Sequence, residues 1–315
     1  MKDYRFILLH SFFLPVVMLL LYPAVSVGGK LQIGVIMTAD VPYYSEMHKG
    51  FMEELEGNSA GNQEIEVILQ RPFPDQIAWS NAARKLIAFD VDLIVSYGSP
   101  ATLAVLDEKS NIPIVYAGVY DPGNIDISGD NITGCGYKVP LSSLIRYLKR
   151  LKHVGRLSAI YSSIEEDSIR QANKLESLAS LQNITLTKVN LRSNIDIGKI
   201  KRVSEDDAVI LTGSALVHLW VDDIMSVLRK EKIPVADIFP DDAEAGVLMT
   251  LYRPALEQGK NAATMVSRIL EGEQPNTITP VIHGDAELVF NLIEAEKMGL
   301  TFPIGLVVEA TRVIK

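Results

Sequence analysis

Residues able to bind or react gather at two strand ends in "SYGSPATLAVLDEKSNIPIVYAGVYDP", Ser96 to Pro122. One apolar run finishes in Gly98-Ser99-Pro100-Ala101-Thr102 and the next in Asp121-Pro122. Ser99 to Thr102 stands where a helix begins, so its hydroxyls and unpaired N–H groups can receive an anion such as a carboxylate. An ordinary N-cap uses the same residue types with no ligand, and an aspartate before proline can simply shape a turn. Spacing leaves both readings open. In open parallel α/β sheets, ligands sit outside the carboxyl ends of the strands. The other strand ends here carry Tyr43 and Tyr44, then Ser162-Ser163, Thr212-Gly213-Ser214 and Asp237. Several such groups on one rim favour a binding cleft.

Catalytic and metal chemistry find less support. His10, His48, His153, His218 and His283 show no metal-ligand spacing and read as isolated histidines on surface helices. There is no Gly-x-Ser-x-Gly elbow, Walker loop or Gly-x-Gly-x-x-Gly turn. The acidic pairs Glu165-Glu166, Asp222-Asp223 and Asp241-Asp242 are adjacent in sequence, so their side chains diverge; they read as helix-start charges or solvated surface. Nothing here describes an enzyme, a cofactor or a metal site.

Composition agrees with a folded, non-catalytic domain pair. The 315 residues are 48% hydrophobic and 22% charged, which excludes disorder and a multi-span membrane protein. A net charge of −9 with no basic stripe argues against nucleic acid as a partner. Cys135 is the single cysteine, so no internal disulfide can form, and its place between Gly134 and Gly136 suggests a small half-buried turn residue. Lys2 and Arg5, an apolar run from Phe6 to Tyr22, then Ala24-Val25-Ser26, have the order of a secretory signal over residues 1–26. An uncleaved anchor is the rival, since the run approaches the ~20 residues that span a bilayer. Both place the remainder outside the inner membrane.

These side chains must be held by a regular frame, and the pattern supplies one. "LQIGVIM", "IEVILQ", "VDLIVSYG" and "IPIVYAGV" are buried-strand runs, separated by helical stretches at Tyr43–Glu56, Asp75–Phe89 and Ala101–Asp107. The glycine-rich "YDPGNIDISGDNITGCGY" then breaks the rhythm and marks a boundary. Alternation restarts with a helix over Leu141–Leu151, the strand "RLSAIYS", a helix over Glu166–Leu181 and the strand "ITLTKVN". A further helix, "DAVILTG", the helix "LVHLWVDDIMSVLRK" and a strand at "IPVAD" follow. The chain is therefore expected to be α/β, with two similar lobes built on parallel sheets. The last quarter holds a helix in "PALEQGKNAATMVSRILEG", with Pro254 in its first turn and Gly272 at its end, and cannot be assigned to a lobe by pattern.

At this point the sequence resembles a family: the extracytoplasmic solute-binding proteins of ABC transporters related to the tryptophan/tyrosine-binding type. The resemblance runs from about Ile33 to Ile314. It is carried by "IGVIMTADVPYYSEMHKGF", "DLIVSYGSPATLAVL" with "IPIVYAGVYDP", "NITGCGY", "IPVADIFPDDAEAGVLMTL", "GKNAATMVSRILEGEQP" and "ELVFNLIEAEKMGLTFPIGLVVEATRVI", in that order. It implies a periplasmic binding protein of type I: two Rossmann-like lobes joined by a three-strand hinge. Residues 30–121 plus about 249–278 would form the N-terminal lobe. Residues from about 135 to 246 plus about 280–315 would form the C-terminal lobe, with crossings near 122–134, 247 and 279.

The resemblance also implies roles. Ser99, Ala101 and Thr102 would hold a ligand carboxylate, Asp121 would face a ligand amino group, and Tyr43, Ser163, Thr212 and Asp237 would line the cleft. The ligand would be a small amino-acid-like zwitterion, the partner an ABC permease, and the protein a monomer that closes on its ligand by hinge motion. A different class of function shares this frame: a ligand-sensing subunit that signals to a membrane kinase without transport. Two departures stand out. Ser214-Ala215 follows "AVILTG" where relatives offer Asp-Asn, and Tyr252-Arg253-Pro254 replaces a glycine and a tyrosine. Both fall where a ligand side chain would be recognised, and Arg253 points to a more anionic ligand.

Overall fold

The computed structural model describes residues 30–58, 64–203, 205–239, 246–282 and 285–315. The expected signal segment, Asp241-Asp242, His10 and His283 lie outside the described residues.

Five parallel strands form the first sheet, in the order β2-β1-β3-β4-β5. They are β1 (Leu31–Met37), β2 (Ile65–Gln70), β3 (Leu93–Tyr97), β4 (Ile114–Tyr120) and β5 (Ile132–Tyr137). Helices α1 (Pro42–Asn58), α2 (Gln76–Ala88) and α3 (Ser99–Asp107) make the connections. β3, β4 and β5 are buried along their whole length, which is why β3 and β4 read as apolar runs rather than alternations. Asp75 starts α2 by accepting the Ala78 N–H at 2.8 Å.

The second sheet has the order β12-β11-β10-β9-β8-β6-β7. It comprises β6 (Arg156–Tyr161), β7 (Thr185–Asn190), β8 (Ala208–Leu211), β9 (Val235–Asp237), β10 (Met249–Tyr252), β11 (Glu287–Asn291) and β12 (Arg312–Ile314). Only β10 and β11 pair antiparallel among the described strands. Its helices are α4 (Leu141–Leu151), α5 (Glu166–Ser180), α6 (Ala215–Leu219), α7 (Val221–Lys230), α9 (Leu292–Met298) and α10 (Ile304–Val307); α8 (Ala255–Leu270) lies between β10 and β11 in the chain. The helix expected before β8 is a 3-10 run over Asn194–Val203. The single helix expected over "LVHLWVDDIMSVLRK" divides at Trp220 into α6 and α7.

Two corrections concern the boundaries. The glycine-rich segment does not lie wholly between lobes: its last six residues are β5, paired with β4 in the first sheet. Gly134 is needed there, because a Cβ would stand 2.2 Å from the Tyr116 carbonyl oxygen, beside the register shift between Tyr116 and Val119. The first crossing therefore follows Tyr137, not residues 122–134. β10 pairs with β9 and β11, so the chain leaves the second sheet after Tyr252 rather than near 247. On the way back Val281 still runs beside β5, its N–H bonding the Gly134 carbonyl at 3.0 Å, and the third crossing comes after it.

The helix in the last quarter belongs to the first lobe. α8 lies against α1 at backbone contact: a Cβ on Gly50 would stand 2.2 Å from the Leu256 carbonyl oxygen, and one on Gly259 would stand 1.9 Å from that of Met47. Helices that approach so closely need glycine at the crossing. Cys135 is a fully buried β5 residue, not a half-buried turn residue. Its thiol donates to the Gln258 carbonyl at 3.1 Å, and burial pushes it up to about 12.

A candidate ligand cleft between the lobes

The first-lobe side of the cleft is the start of α3. Gly98 precedes it with φ +86°, and a Cβ would meet the Tyr44 hydroxyl at 2.4 Å and Thr38 Oγ1 at 2.5 Å, so glycine is required. Thr102 turns back on its own helix: its hydroxyl bonds the Gly98 carbonyl at 2.8 Å and pairs with Ser96 Oγ at 2.9 Å. The Ala101 N–H points to Thr38 Oγ1 at 3.4 Å. Ser99 alone of these reaches across, donating to Asp167 Oδ2 of α5 at 2.6 Å. That carboxylate oxygen also accepts the Tyr120 N–H at 3.1 Å, while Oδ1 accepts from Arg170 Nη2 at 2.6 Å. Arg170 in turn donates to the carbonyls of Tyr120 and Asp121, the latter at 3.2 Å. Thus the protein's own acid meets the hydroxyl expected to hold a ligand carboxylate.

Asp121 adopts the left-handed conformation at φ 47°. Its carboxylate pairs with Lys138 at 3.0 Å and accepts from Asn124 Nδ2 at 2.8 Å. Partial burial would raise this carboxyl, but those two hydrogen bonds and the nearby cations outweigh it and hold the group below the usual range.

The second-lobe side is answered from within the lobe. Ser214 starts α6, and the buried Glu165 carboxylate accepts its hydroxyl and the N–H groups of Ala215 at 2.8 Å and Leu216 at 2.9 Å. Glu165 is therefore neither a solvated charge nor half of a dyad with Glu166. Thr212 donates to the Ile160 carbonyl at 3.1 Å and lies 2.7 Å from Ser168 Oγ. The Gly213 N–H reaches Gln171 Oε1 at 2.7 Å. Asp237 is fully buried, accepting the Ile238 N–H at 2.6 Å and facing His218 Nε2 at 3.0 Å. His218, expected on a helix surface, is thus a buried residue whose other ring nitrogen faces the Ser214 carbonyl at 2.7 Å. Burial is the main influence on Asp167 and Glu165 and raises both carboxyls above their ordinary values despite the hydrogen bonds they accept.

Between the two sides stands an aromatic cluster. Tyr43 of the first lobe and Phe239, two residues past Asp237 in the second, stack at 4.2 Å with planes 17° apart. Tyr44 meets Phe239 edge-on at 6.1 Å, and Tyr137 sits edge-on to Tyr43 at 6.2 Å and to Tyr120 at 5.5 Å. Gln258 Nε2 donates to the Tyr43 hydroxyl at 2.7 Å.

Of the eight residues expected in the cleft, Tyr43, Ser99 and, through its carbonyl, Asp121 meet groups of the opposite lobe. Thr212 and Asp237 are bound into their own lobe behind that contact. Ser163 is hydrogen-bonded to Asn190 and lines an open groove of about 990 Å³ whose walls include Phe73, Pro100 and Leu103 of the first lobe and Arg192 of the second. The rings of Tyr43, Tyr137 and Phe239 do not line that groove. Phe239, Asp167, Arg170, Tyr137 and Gln258 escaped the sequence reading. Phe239 alone had a local signal, an aromatic at a strand end. Among the described residues there is no cluster of three or more acidic, His or Cys groups able to hold a metal.

Two α/β lobes facing each other across an aromatic-lined interface are the architecture of a type I periplasmic solute-binding protein. The family described as "ABC transporter substrate binding protein" matches residues 32–314. The chain belongs to that family. It is 21% identical over 271 residues to the tyrosine-binding protein of Clostridioides difficile, covering 82% of this chain and 78% of that one. The ABC domain from Streptococcus pneumonia, solved in complex with L-Trp, superposes with a TM-score of 0.84 at 21% identity, covering 90% of this chain and all of that one. A conserved domain protein of Vibrio cholerae superposes with a TM-score of 0.85 at 20% identity, over 90% and 99% of the two chains. The family is one of solute-binding proteins outside the cytoplasm, and among the described residues no helix is long and apolar enough to cross a membrane.

Proposed function

We propose that this protein captures an aromatic amino-acid-like ligand between its lobes, outside the cytoplasm, and delivers it to an ABC permease. The observation that carries this reading is the Tyr43–Phe239 stack, which joins rings from opposite lobes face to face. In an open form the rings part, and a planar ligand body can take the place each now gives the other. Aromatic surfaces bury a large apolar area with defined geometry, so a ligand ring that bridges the lobes favours the closed form over the open one. Closure is then a population shift set by that differential affinity, by rotation about the three crossings. Ser99 Oγ and the Tyr120 N–H, now engaged by Asp167, become free donors whenever the lobes separate. The closed monomer presents both lobes to the permease. The kinships to a tyrosine-binding protein and to an L-Trp complex support the ligand class.

A thermal-shift series with L-tyrosine, L-tryptophan, L-phenylalanine, L-leucine and ribose tests the reading. An aromatic amino acid at a hundred times its dissociation constant should add about 2.7 kcal/mol of stability, and Phe239→Ala should abolish the shift. A shift from ribose or leucine with none from any aromatic would exclude it.

A further inference from the structure

Arg253 lies in the crossing between β10 and α8 and is 3% exposed. A buried guanidinium requires an anion close by, because desolvation is costly unless the charge is paired. Its ion pair among the described residues is with Glu257, at 3.8 Å, whose side chain is 55% exposed. Among the described residues, Arg253 Nε has no hydrogen-bond partner, and neither has the buried Oε1 of Gln258 one turn into α8. The other end of the Gln258 amide holds the Tyr43 hydroxyl. Arg253 also lies close enough for its charge to act on the Tyr43 phenol and the Cys135 thiol. α8 runs for 16 residues and Pro254 at its N-cap provides no side-chain cap, so its first N–H groups add positive potential at the same place. One unpartnered donor, one unpartnered acceptor and a helix start therefore fall within five residues of each other, near the Tyr43 hydroxyl.

Elsewhere on the first-lobe side, the poles expected for a zwitterion are engaged while the lobes are in contact. Ser99 donates to Asp167, and Asp121 is paired with Lys138. Resting on the cleft reading above, we propose that the ligand is an aromatic 2-amino or 2-hydroxy acid whose carboxylate is held by Arg253 and whose ammonium or hydroxyl donates to Gln258 Oε1. The carboxylate, not the amine, is then the obligatory pole, and it sits at the hinge end of the cleft rather than at the start of α3.

Calorimetric titration of the full chain separates the possibilities, with L-tryptophan, indole-3-lactate, which lacks the amine, and tryptamine, which lacks the carboxylate. L-tryptophan and indole-3-lactate should bind within about tenfold of each other, and tryptamine about 100-fold more weakly or not at all. Arg253→Met should weaken both acids about 100-fold, and Arg253→Lys should recover part of that loss. Without ligand, Arg253→Met should melt at the same temperature as the parent or higher, since it removes an under-compensated buried charge. Tryptamine binding as tightly as tryptophan would overturn the assignment of Arg253 and leave the aromatic cleft standing. So would unchanged affinity of Arg253→Met for both acids, or a lowered melting temperature with affinity intact. If none of the three compounds binds, the cleft reading fails and the role of Arg253 falls with it.

Discussion

Each lobe starts a helix directly after a buried strand, and the two starts are satisfied in opposite ways. At α6 the cap is Ser214, and the acid that fills the first N–H groups is Glu165 of the same lobe. At α3 the cap is Gly98, with no side chain to offer, and the acid that meets Ser99 comes from α5 of the other lobe. The first arrangement lies within one lobe and would survive any opening of the cleft. The second exists only while the lobes touch. Polar groups on the second-lobe side are thus part of its fold, and those on the first-lobe side are available to whatever crosses the cleft.

The comparison is broken most severely at Glu165. Glu165→Ala should destabilise the second lobe by about 3 kcal/mol or more, because it leaves the Ala215 and Leu216 N–H groups and the Ser214 hydroxyl proton buried without an acceptor. Chemical denaturation would register it as a lower midpoint, and ligand should restore little of it. Asp167→Ala should cost less, about 2 kcal/mol, and the loss should appear chiefly as opening. Small-angle scattering of the ligand-free variant should give a larger radius of gyration than the parent. An unchanged radius with a large loss of stability would place Asp167 with Glu165 as a residue of the fold.

The smallest effect sharpens the contrast through pH. Burial holds Asp167 and Glu165 above their unfolded values, so the folded protein binds those protons more tightly. Their contribution to stability is greatest below the unfolded pKa and declines as pH rises toward the raised folded value. Asp121 has the opposite sign. Its folded pKa is lowered, so its contribution is present above the unfolded value of roughly 3.9 and is lost as pH falls through the folded one. Asp121→Asn should therefore lower the melting temperature slightly at neutral pH, and the difference should vanish in strong acid. A gap of the same size at all pH values would show that Asp121 acts through its backbone conformation instead of its charge.

The sequence by itself determined the two α/β lobes, the strand ends that face each other and the aromatic and hydroxyl residues placed there. Those follow from local periodicity: apolar runs such as "LQIGVIM" must be buried wherever the chain goes, and Gly98 and Ser99 must follow the strand that they end. It did not determine β5, because Gly134 and Gly136 erase the apolar pattern, and glycine there is required by the irregular edge of β4. Nor did periodicity assign α8, which only the family resemblance placed with the first lobe; its lobe depends on two glycines, Gly50 and Gly259, at a helix contact distant in sequence. The polar pairs were hidden for the same reason. Ser99 and Asp167 are 68 positions apart, Glu165 and Ala215 are 50 apart, and Tyr43 and Gln258 are 215 apart. A carboxylate at a helix start has the same local signature whether it caps its own turn, fills another helix or clasps the opposite lobe. Only the tertiary structure, by bringing donors and acceptors together in a site closed to water, decides which of these it does.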